Sequence, residues 1–338
     1  MKRLALGVVL LAVVIVGGAA AWLFSGLATP YKGYEGAEQF VDIPQGAGPA
    51  SIARRLASAG VVRDEVTFRF ELARSGAGRR LQAGEYRFDH PMTVGDVIGK
   101  LARGDVYLRP ITFREGLTIR QMAELYESKG FGTAAEFMGA AANGRLVHDI
   151  DPAARDLEGY LFPDTYALPR RATAEQLVAR MVAAFQKALT PDIKDTAQAR
   201  GLGVRALVTL ASIVEKETGT ADERPLVAAV YSNRLSIGMG LQCDPTVIYA
   251  LEQAGRYDGN IRRDDLQFDS RYNTYRYAGL PPGPIAAPGR ASLAAAAHPA
   301  DVPYIYFVSR NDGTHAFATT LPDHNRNVFE YQIKPRRH

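Results

Sequence analysis

The spacing of apolar residues over residues 207–251 predicts two helices joined by a turn. Four apolar residues recur at i, i+3, i+4 and i+7, the spacing of one buried helical stripe: Leu207, Leu210, Ala211 and Val214. At about 100° per residue, Glu217 comes near the edge of that stripe. The first helix therefore carries a carboxylate at the border of an otherwise apolar face.

The position of Glu217 predicts an acid that keeps its proton. Gly219 fits the C′ position that ends a helix, which leaves Glu217 in the last turn. Burial and the negative end of the helix dipole both oppose ionisation there, as general acid catalysis requires. Glu215 projects further around the helix, so the two acids cannot face one cleft. Many glutamates near helix ends are solvated or ion-paired, and the pattern alone leaves that structural role open.

The N-terminal segment has the pattern of a membrane anchor. Residues 4–24 form an uncharged apolar run of about 21 residues, and a membrane-spanning helix needs about 20. Lys2 and Arg3 precede the run, which predicts a cytoplasmic N-terminus. The small residues Gly17–Ala21 are also typical of a processing site, so a cleaved signal peptide is the alternative. We expect an uncleaved anchor in residues 1–25.

The rest of the chain predicts a linker and two domains of an α+β fold. Residues 26–38 are rich in turn formers and predict a linker. Residues 39–106 predict a small module of strands with helices on one face. Its segment Pro44–Ala53 resembles LysM-like glycan-binding domains, although a purely structural role is an equal alternative. Residues 107–338 predict a larger α+β catalytic domain, whose helical core carries Glu217.

Charge and cysteine content narrow the function classes. The chain has 40 Lys and Arg against 36 Asp and Glu, a net charge of +4 that is too small and too dispersed for nucleic-acid binding. A single cysteine, Cys243, forbids an intrachain disulfide. A catalytic thiol needs a basic partner, and the neighbours of Cys243 include none. We therefore interpret Cys243 as incidental.

The histidines do not indicate a metal site. His298, His315 and His324 lie in the C-terminal third, without the HExxH pattern or any comparable ligand spacing. Packing or loop hydrogen bonds account for them more simply than a zinc peptidase does. We expect no metal and no cofactor.

Polar residues after the second helix are candidates for substrate binding. If the two helices pack as an antiparallel hairpin, Asn233, Gln242 and Asp244 return near Glu217. Residues 272–275 begin an irregular, aromatic-flanked loop, and such loops in compact domains are often functional. The substrate-binding candidates are therefore Asn233, Gln242, Asp244, Asn273 and Tyr275. Each of them can equally cap a helix or fix a loop.

A series of short motifs resembles the endolytic murein transglycosylases of the MltG (YceG) type. The motifs are residues 211–218, Asn233-Arg234-Leu235, Ile237-Gly238-Met239, residues 244–249, residues 272–275, residues 279–283, Ala297-His298-Pro299 and residues 304–308. The match spans nearly the whole chain. Each motif is short, but the set in this order is specific.

The resemblance implies an inner-membrane protein with a cytoplasmic N-terminus and a periplasmic catalytic domain. Such proteins cleave nascent peptidoglycan strands internally at the β-1,4 bond after N-acetylmuramic acid. They leave 1,6-anhydro ends and so terminate glycan elongation. The family's catalytic glutamate corresponds to Glu217. Peptidoglycan strands are the implied substrate, and peptidoglycan synthases are possible partners.

Two alternatives stay open from the sequence. The first is a hydrolytic muramidase, in which Asp244 or Glu223 acts as a second carboxylate that steers water. The second is a non-catalytic glycan-binding membrane anchor that positions wall-synthesis partners. The membrane segment and the LysM-like module support this second interpretation.

Overall fold

A computed structural model describes residues 2–334 of the chain, except for the side chains of residues 2–5, 8, 9, 12 and 19. The chain divides into two compact units. The first extends to Arg109 and includes Ala167–Arg170, and the second comprises Pro110–Tyr166 and continues from Arg171. The described part is a mixed α+β fold with mostly helical elements and three two-stranded sheets, as the sequence predicts.

The first unit contains the small module. Its elements are α1 (Lys2–Ala28), β1 (Gln39–Ile43), α2 (Pro49–Ser58), α3 (Glu65–Ser75), β2 (Gly84–Phe88) and α4 (Val94–Arg103). β1 and β2 pair antiparallel, with Val41 opposite Tyr86. Leu56, Phe68 and Leu101 lie fully buried in the core of this unit. The predicted strands and helices of the module are therefore confirmed, whereas glycan binding by it stays a prediction.

The predicted membrane anchor coincides with α1. Among the described residues, no helix combines the length and the apolarity needed to cross a membrane. The side chains of residues 4, 5, 8, 9, 12 and 19, which belong to the predicted span, lie outside the described set. The described part of the chain thus does not bear out the transmembrane prediction.

The remaining elements begin at the boundary strand β3 and end near the C-terminus. They are β3 (Arg109–Thr112), α5 (Ile119–Ser128), α6 (Ala134–Ala141), β4 (Thr165–Leu168), α7 (Ala174–Ala188), α8 (Pro191–Ala199), α9 (Val204–Glu217), α10 (Arg224–Ser236), α11 (Asp244–Gln253), α12 (Arg290–Ala297), β5 (Tyr306–Ser309), β6 (His315–Ala318), α13 (Leu321–Val328) and a π-helical turn at Phe329–Ile333. β5 and β6 form an antiparallel hairpin in which Ser309 lies opposite His315.

The helix α9 is the centre of the second unit. Its residues from Leu207 to Val214 are all buried, because α8, α10, α11 and α12 pack around it. The sequence predicts one buried stripe, and the structure instead surrounds the helix. Two polar side chains within this buried stretch make hydrogen bonds inside the helix: the Thr209 hydroxyl donates to the Arg205 carbonyl at 2.7 Å, and the Ser212 hydroxyl donates to the Thr209 carbonyl at 2.8 Å.

Candidate active site

The last residue of α9 is Glu217, which the sequence predicts in the last helical turn. The helix ends at Thr218, whose backbone is extended, with φ −106° and ψ 122°. The Thr218 hydroxyl and backbone N–H donate to the Val214 carbonyl at 2.7 and 3.2 Å. Gly219 does not adopt a positive φ, so a threonine and not a glycine caps the helix. This cap fixes the backbone from which Glu217 projects.

Two donors hold one oxygen of the Glu217 carboxyl group. The Tyr231 hydroxyl, on α10, donates to Oε1 at 2.9 Å, and the Cys243 thiol donates to the same oxygen at 3.1 Å. Because Oε1 accepts both bonds, the acid proton belongs on Oε2. Oε2 has no hydrogen-bond partner within residues 2–334. The carboxyl group is therefore oriented with its acidic oxygen free.

The contact with Glu217 corrects the interpretation of Cys243 as incidental. Cys243 precedes α11 and is only 1% exposed, with its thiol against the carboxyl group. The sequence neighbours of Cys243 include no base that could activate a nucleophilic thiol. They give no sign that the thiol donates to Glu217, because Glu217 lies on a different helix, α9.

The surroundings of Glu217 raise its pKa. Burial is the largest cause, and the nearby charge of Asp244 adds to it. The hydrogen bonds from Cys243 and Tyr231 act in the opposite direction, as does a positive charge on the His315 ring whenever that ring is protonated, and the net shift is upward. Burial also raises the pKa of Tyr231 and of Cys243 well above their usual values, so both remain protonated donors. Burial thus favours the protonated form of the carboxyl group.

Glu217 opens into a cavity of about 320 Å³. Three of the five predicted binding residues line it: Gln242, Asp244 and Tyr275. The Tyr275 hydroxyl donates to Asp244 Oδ1 at 2.6 Å. Gln242 has a φ of 50°, a strained conformation for a residue other than glycine, and its backbone N–H donates to the Thr274 carbonyl at 3.3 Å. Amide, carboxylate and hydroxyl groups therefore line the same cavity as Glu217.

The structure does not bring Asn233 and Asn273 to this cavity. The Asn233 amide donates to the carbonyls of Val302 and Tyr304 at 2.8 and 2.9 Å. Asn273 is fully buried, and its amide donates to two carbonyls of its own loop. Both asparagines stabilise loops, which is the alternative that the sequence left open for them.

The second acid of α9 is held away from the cavity. Glu215 Oε2 accepts the backbone N–H of Gly289 at 2.9 Å, and Oε1 lies 3.4 Å from the Arg224 guanidinium. Its side chain is only 5% exposed. The prediction that Glu215 and Glu217 face different surroundings is confirmed.

The C-terminal hairpin and α13 supply cavity residues that the sequence reasoning missed. Phe307, His315 and His324 line the wall, although the sequence assigned both histidines to packing or loop contacts. His315 Nδ1 lies 2.6 Å from Glu223 Oε2, so Glu223 is not free to act as the second carboxylate of a hydrolase. His324 stacks on Tyr306, and burial lowers its pKa. Phe307 belongs to the motif at residues 304–308, but no spacing signals His315 and His324, which lie about a hundred positions from Glu217.

In the described part of the chain, His298 and His315 each contact a different carboxylate. His298 binds Asp192, and His315 binds Glu223, in one-to-one pairs. Within residues 2–334, no three or more His, Cys, Asp and Glu side chains converge as metal ligands do.

Comparisons with known proteins agree with the motif order in the chain. The model of the YceG-like family matches residues 41–330. The endolytic murein transglycosylase of Bacillus subtilis (strain 168) is 31% identical over 306 residues, covering 86% of this chain and 84% of that protein. The endolytic murein transglycosylase of Streptococcus pneumoniae serotype 2 (strain D39 / NCTC 7466) is 31% identical over 321 residues, which cover 86% of this chain and 58% of the longer relative.

A solved structure has the same fold. The crystal structure of a yceG-like protein from Listeria monocytogenes superposes with a TM-score of 0.59 at 30% identity, covering 86% of this chain and 98% of that chain. The family model covers most of the chain and includes the helix with Glu217 and the cavity around it. This chain therefore belongs to the YceG-like family.

Proposed function

We propose that this chain is an endolytic murein transglycosylase that cleaves the β-1,4 bond after N-acetylmuramic acid within glycan strands and leaves 1,6-anhydro ends. One observation carries the proposal: the carboxyl group of Glu217 has a raised pKa, a fixed orientation and a free oxygen at a polar cavity. The names of the relatives from Bacillus subtilis and Streptococcus pneumoniae support the substrate and the reaction.

In the first step, Glu217 acts as a general acid. Its Oε2 proton transfers to the glycosidic oxygen while the bond from that oxygen to the anomeric carbon breaks, and the sugar develops oxocarbenium character. The Tyr231 and Cys243 bonds stabilise the carboxylate that this transfer creates. They thereby lower the barrier to proton donation without removing the proton at rest.

In the second step, the same carboxylate acts as a base. The 6-hydroxyl of the muramic acid residue bonds to the anomeric carbon and releases its proton to Glu217, which restores the acid. No water enters the product, and one carboxyl group suffices. General acid–base transfer of this kind contributes on the order of 10²–10⁴ in rate.

Sugar binding is proposed for the predicted residues that line the cavity. Gln242, Asp244 and Tyr275 offer an amide, a carboxylate and a hydroxyl beside Glu217. Hydroxyl and acetamido groups of a glycan are the partners that such side chains bind. The contribution of Asn233 and Asn273 is to hold the loops on which binding depends.

Hydrolysis is the second candidate, since Asp244 lines the same cavity as Glu217. A carboxylate beside the acid is the arrangement that activates water in an inverting glycosidase. Against this role, Asp244 Oδ1 accepts the Tyr275 hydroxyl at 2.6 Å.

The test is mass spectrometry of uncrosslinked glycan strands incubated with the full-length chain. We expect internal fragments with anhydro-muramic ends from the wild type and none from Glu217→Gln. The matched control is Glu215→Gln, which changes an acid two positions away on the same helix and should retain cleavage per folded molecule. Reducing-end products, one water heavier, would assign hydrolysis. Equal cleavage by Glu217→Gln would reject Glu217 as the acid, and intact strands with all three proteins would reject an enzyme.

We extend the proposal to location and cellular role. The uncharged run of residues 4–24 supports an anchor in the inner membrane, with the N-terminus in the cytoplasm and the catalytic domain in the periplasm. Internal cleavage of glycan strands beside the synthases would then terminate glycan elongation. Cell fractionation of the full-length chain, with and without residues 4–24, tests the anchor. Release of the shortened chain from the membrane fraction is expected, and equal membrane recovery of both chains would contradict it.

A further inference from the structure

His315 stands in the wall of the cavity that contains Glu217, at the first position of β6. Its ring packs at right angles to Phe307, with 5.3 Å between ring centroids. Phe317 contacts it at 6.4 Å in a similar edge-on arrangement. The imidazole is thus fixed in place by aromatic rings, and only 11% of the side chain is exposed.

A carboxylate holds one side of this imidazole. Glu223 Oε2 lies 2.6 Å from His315 Nδ1, and Glu223 Oε1 accepts the backbone N–H of His315 at 2.9 Å. Because a carboxylate only accepts hydrogen bonds, Nδ1 carries a proton and Nε2 is an acceptor in the neutral ring. Nε2 has no hydrogen-bond partner in the part of the chain that the structure describes.

A second nitrogen-containing side chain in the cavity wall, that of Arg234, already makes hydrogen bonds within the protein. The Arg234 guanidinium also lines the cavity, but it donates to the carbonyls of Ile305 and Leu241 at 2.7 and 2.6 Å. In the neutral ring, His315 Nε2 is instead an acceptor of fixed direction to which no described residue donates a hydrogen bond. A bound saccharide brings hydroxyl donors that suit it.

We propose that His315 Nε2 accepts a hydrogen bond from a hydroxyl group of the glycan bound against Glu217, and that Glu223 is the residue that positions His315 for this contact. The inference rests on the proposed function, since the ligand is the glycan strand. The contact fixes the sugar relative to the acid, so its loss raises KM and lowers kcat by misplacing the scissile bond.

The first test compares two substitutions of His315 in the full-length chain. Asparagine places its amide near the Nδ1 position, so His315→Asn retains a partner for Glu223 but lacks an atom at Nε2. We expect a melting temperature close to the wild type and a fall in kcat/KM on the order of 10–100-fold. His315→Gln reaches further and should recover part of the loss. Wild-type kcat/KM in a folded His315→Asn would overturn the inference.

The second test moves the proton without removing the ring. In Glu223→Gln, the amide oxygen continues to accept the His315 backbone N–H, which turns the amide N–H₂ toward Nδ1. The ring must then carry its proton on Nε2 and ceases to be an acceptor. We expect the nitrogen NMR shifts of labelled His315 to report this exchange, with a fall in kcat/KM similar to that of His315→Asn. An exchanged proton with unchanged KM and kcat would overturn the inference.

A binding measurement keeps the inference testable if either variant fails to fold. The variant Glu217→Gln keeps the native pair of His315 and Glu223. Added uncrosslinked glycan should shift the Nε2 resonance of His315 in this variant and leave the Nδ1 resonance nearly unchanged. Saturating glycan that shifts neither nitrogen would contradict the contact. The two proposals fail separately. Wild-type cleavage by Glu217→Gln rejects Glu217 as the acid of the proposed function, whereas an inactive Glu217→Gln beside a fully active His315→Asn rejects only this inference.

Discussion

At the scale of single residues, the ability of Glu217 to donate a proton depends on which of its two carboxyl oxygens accepts hydrogen bonds from the protein. Tyr231 and Cys243 both donate to Oε1, which leaves Oε2 for the proton and, in the proposed reaction, for the contact with the substrate. Burial raises the pKa of Glu217, and these two donors restrain the increase. Substitutions of the donors therefore change both the rate and the pH at which activity is lost.

Tyr231→Phe should lower kcat/KM about tenfold, because the carboxylate formed in the transition state loses one donor. Removal of a bond that lowers the pKa of Glu217 also raises that pKa. Activity requires the protonated acid and declines as the pH rises through its pKa, so the alkaline limb of the kcat profile should move to higher pH.

The matched control is Tyr166→Phe, which removes a tyrosine hydroxyl bound at 2.7 Å to the Phe162 carbonyl outside the cavity. It should lower stability but leave the pH profile unchanged. An unshifted alkaline limb in Tyr231→Phe would contradict the role assigned to its hydroxyl.

Cys243→Ser should retain kcat/KM within about threefold, since a hydroxyl replaces the thiol as a donor to Oε1. Cys243→Ala removes the donor and leaves a small void at a fully buried position, so we expect a larger loss of activity and of stability. Steady-state kinetics and urea unfolding of the two variants check this order. Equal activity of the serine and alanine variants would mean that the thiol only fills space.

At the scale of secondary-structure elements, α9 carries both a structural acid, Glu215, and the acid that we propose to be catalytic, Glu217. Glu215→Gln should reduce the free energy of unfolding by about 1–3 kcal/mol, because the largely buried Arg224 loses the closer of its two carboxylate partners and keeps only Glu115. Glu217→Gln replaces a buried carboxyl group, whose pKa burial raises, by a neutral amide of similar shape and should cost little stability. Urea unfolding with cleavage assays checks the pair. Stability loss in Glu217→Gln comparable to that in Glu215→Gln would contradict the assignment.

The sequence pattern predicts elements better than it predicts the cavity. The stripe from Leu207 to Val214 predicted α9 and placed Glu217 in its last turn, because helical periodicity is local. The convergence of His315 on the same cavity depends on how the C-terminal hairpin packs, which periodicity does not encode. The contacts of the Asn233 amide could not be predicted for the same reason, since its carbonyl partners lie 69 and 71 positions away.

At the scale of the whole molecule, a second buried acid makes stability depend on pH. Glu158 accepts the backbone N–H of Ile119 and the Tyr249 hydroxyl, and burial raises its pKa to about 8. The folded state holds this proton where the unfolded state has lost it. Its stabilisation is therefore complete below the unfolded pKa and is lost progressively as the pH rises to about 8.

We expect the free energy of unfolding to decrease between about pH 5 and pH 8, with Glu158 contributing up to about 1.4 kcal/mol per pH unit. Glu158→Gln cannot titrate and should flatten this slope. Urea unfolding across the pH range measures both chains. The same slope in the variant would mean that other groups cause the pH dependence.

The domain boundary predicted from the sequence lies close to the residue at which the second compact unit begins. The second domain was predicted from Tyr107, and the second unit begins at Pro110. Apolar periodicity and turn residues predict such boundaries because each unit needs its own core. The return of Ala167–Arg170 to the first unit was not predicted, since a short excursion of the chain leaves no periodic signal.

The most direct test of the central claim, that Glu217 alone supplies both proton transfers, is digestion of uncrosslinked glycan strands in water enriched in the heavy oxygen isotope. If the 6-hydroxyl attacks the anomeric carbon, internal fragments end in anhydro-muramic acid without the heavy isotope, and Glu217→Gln forms none. Reducing ends that carry the heavy isotope would show that water attacks, and the single-acid account would then be wrong.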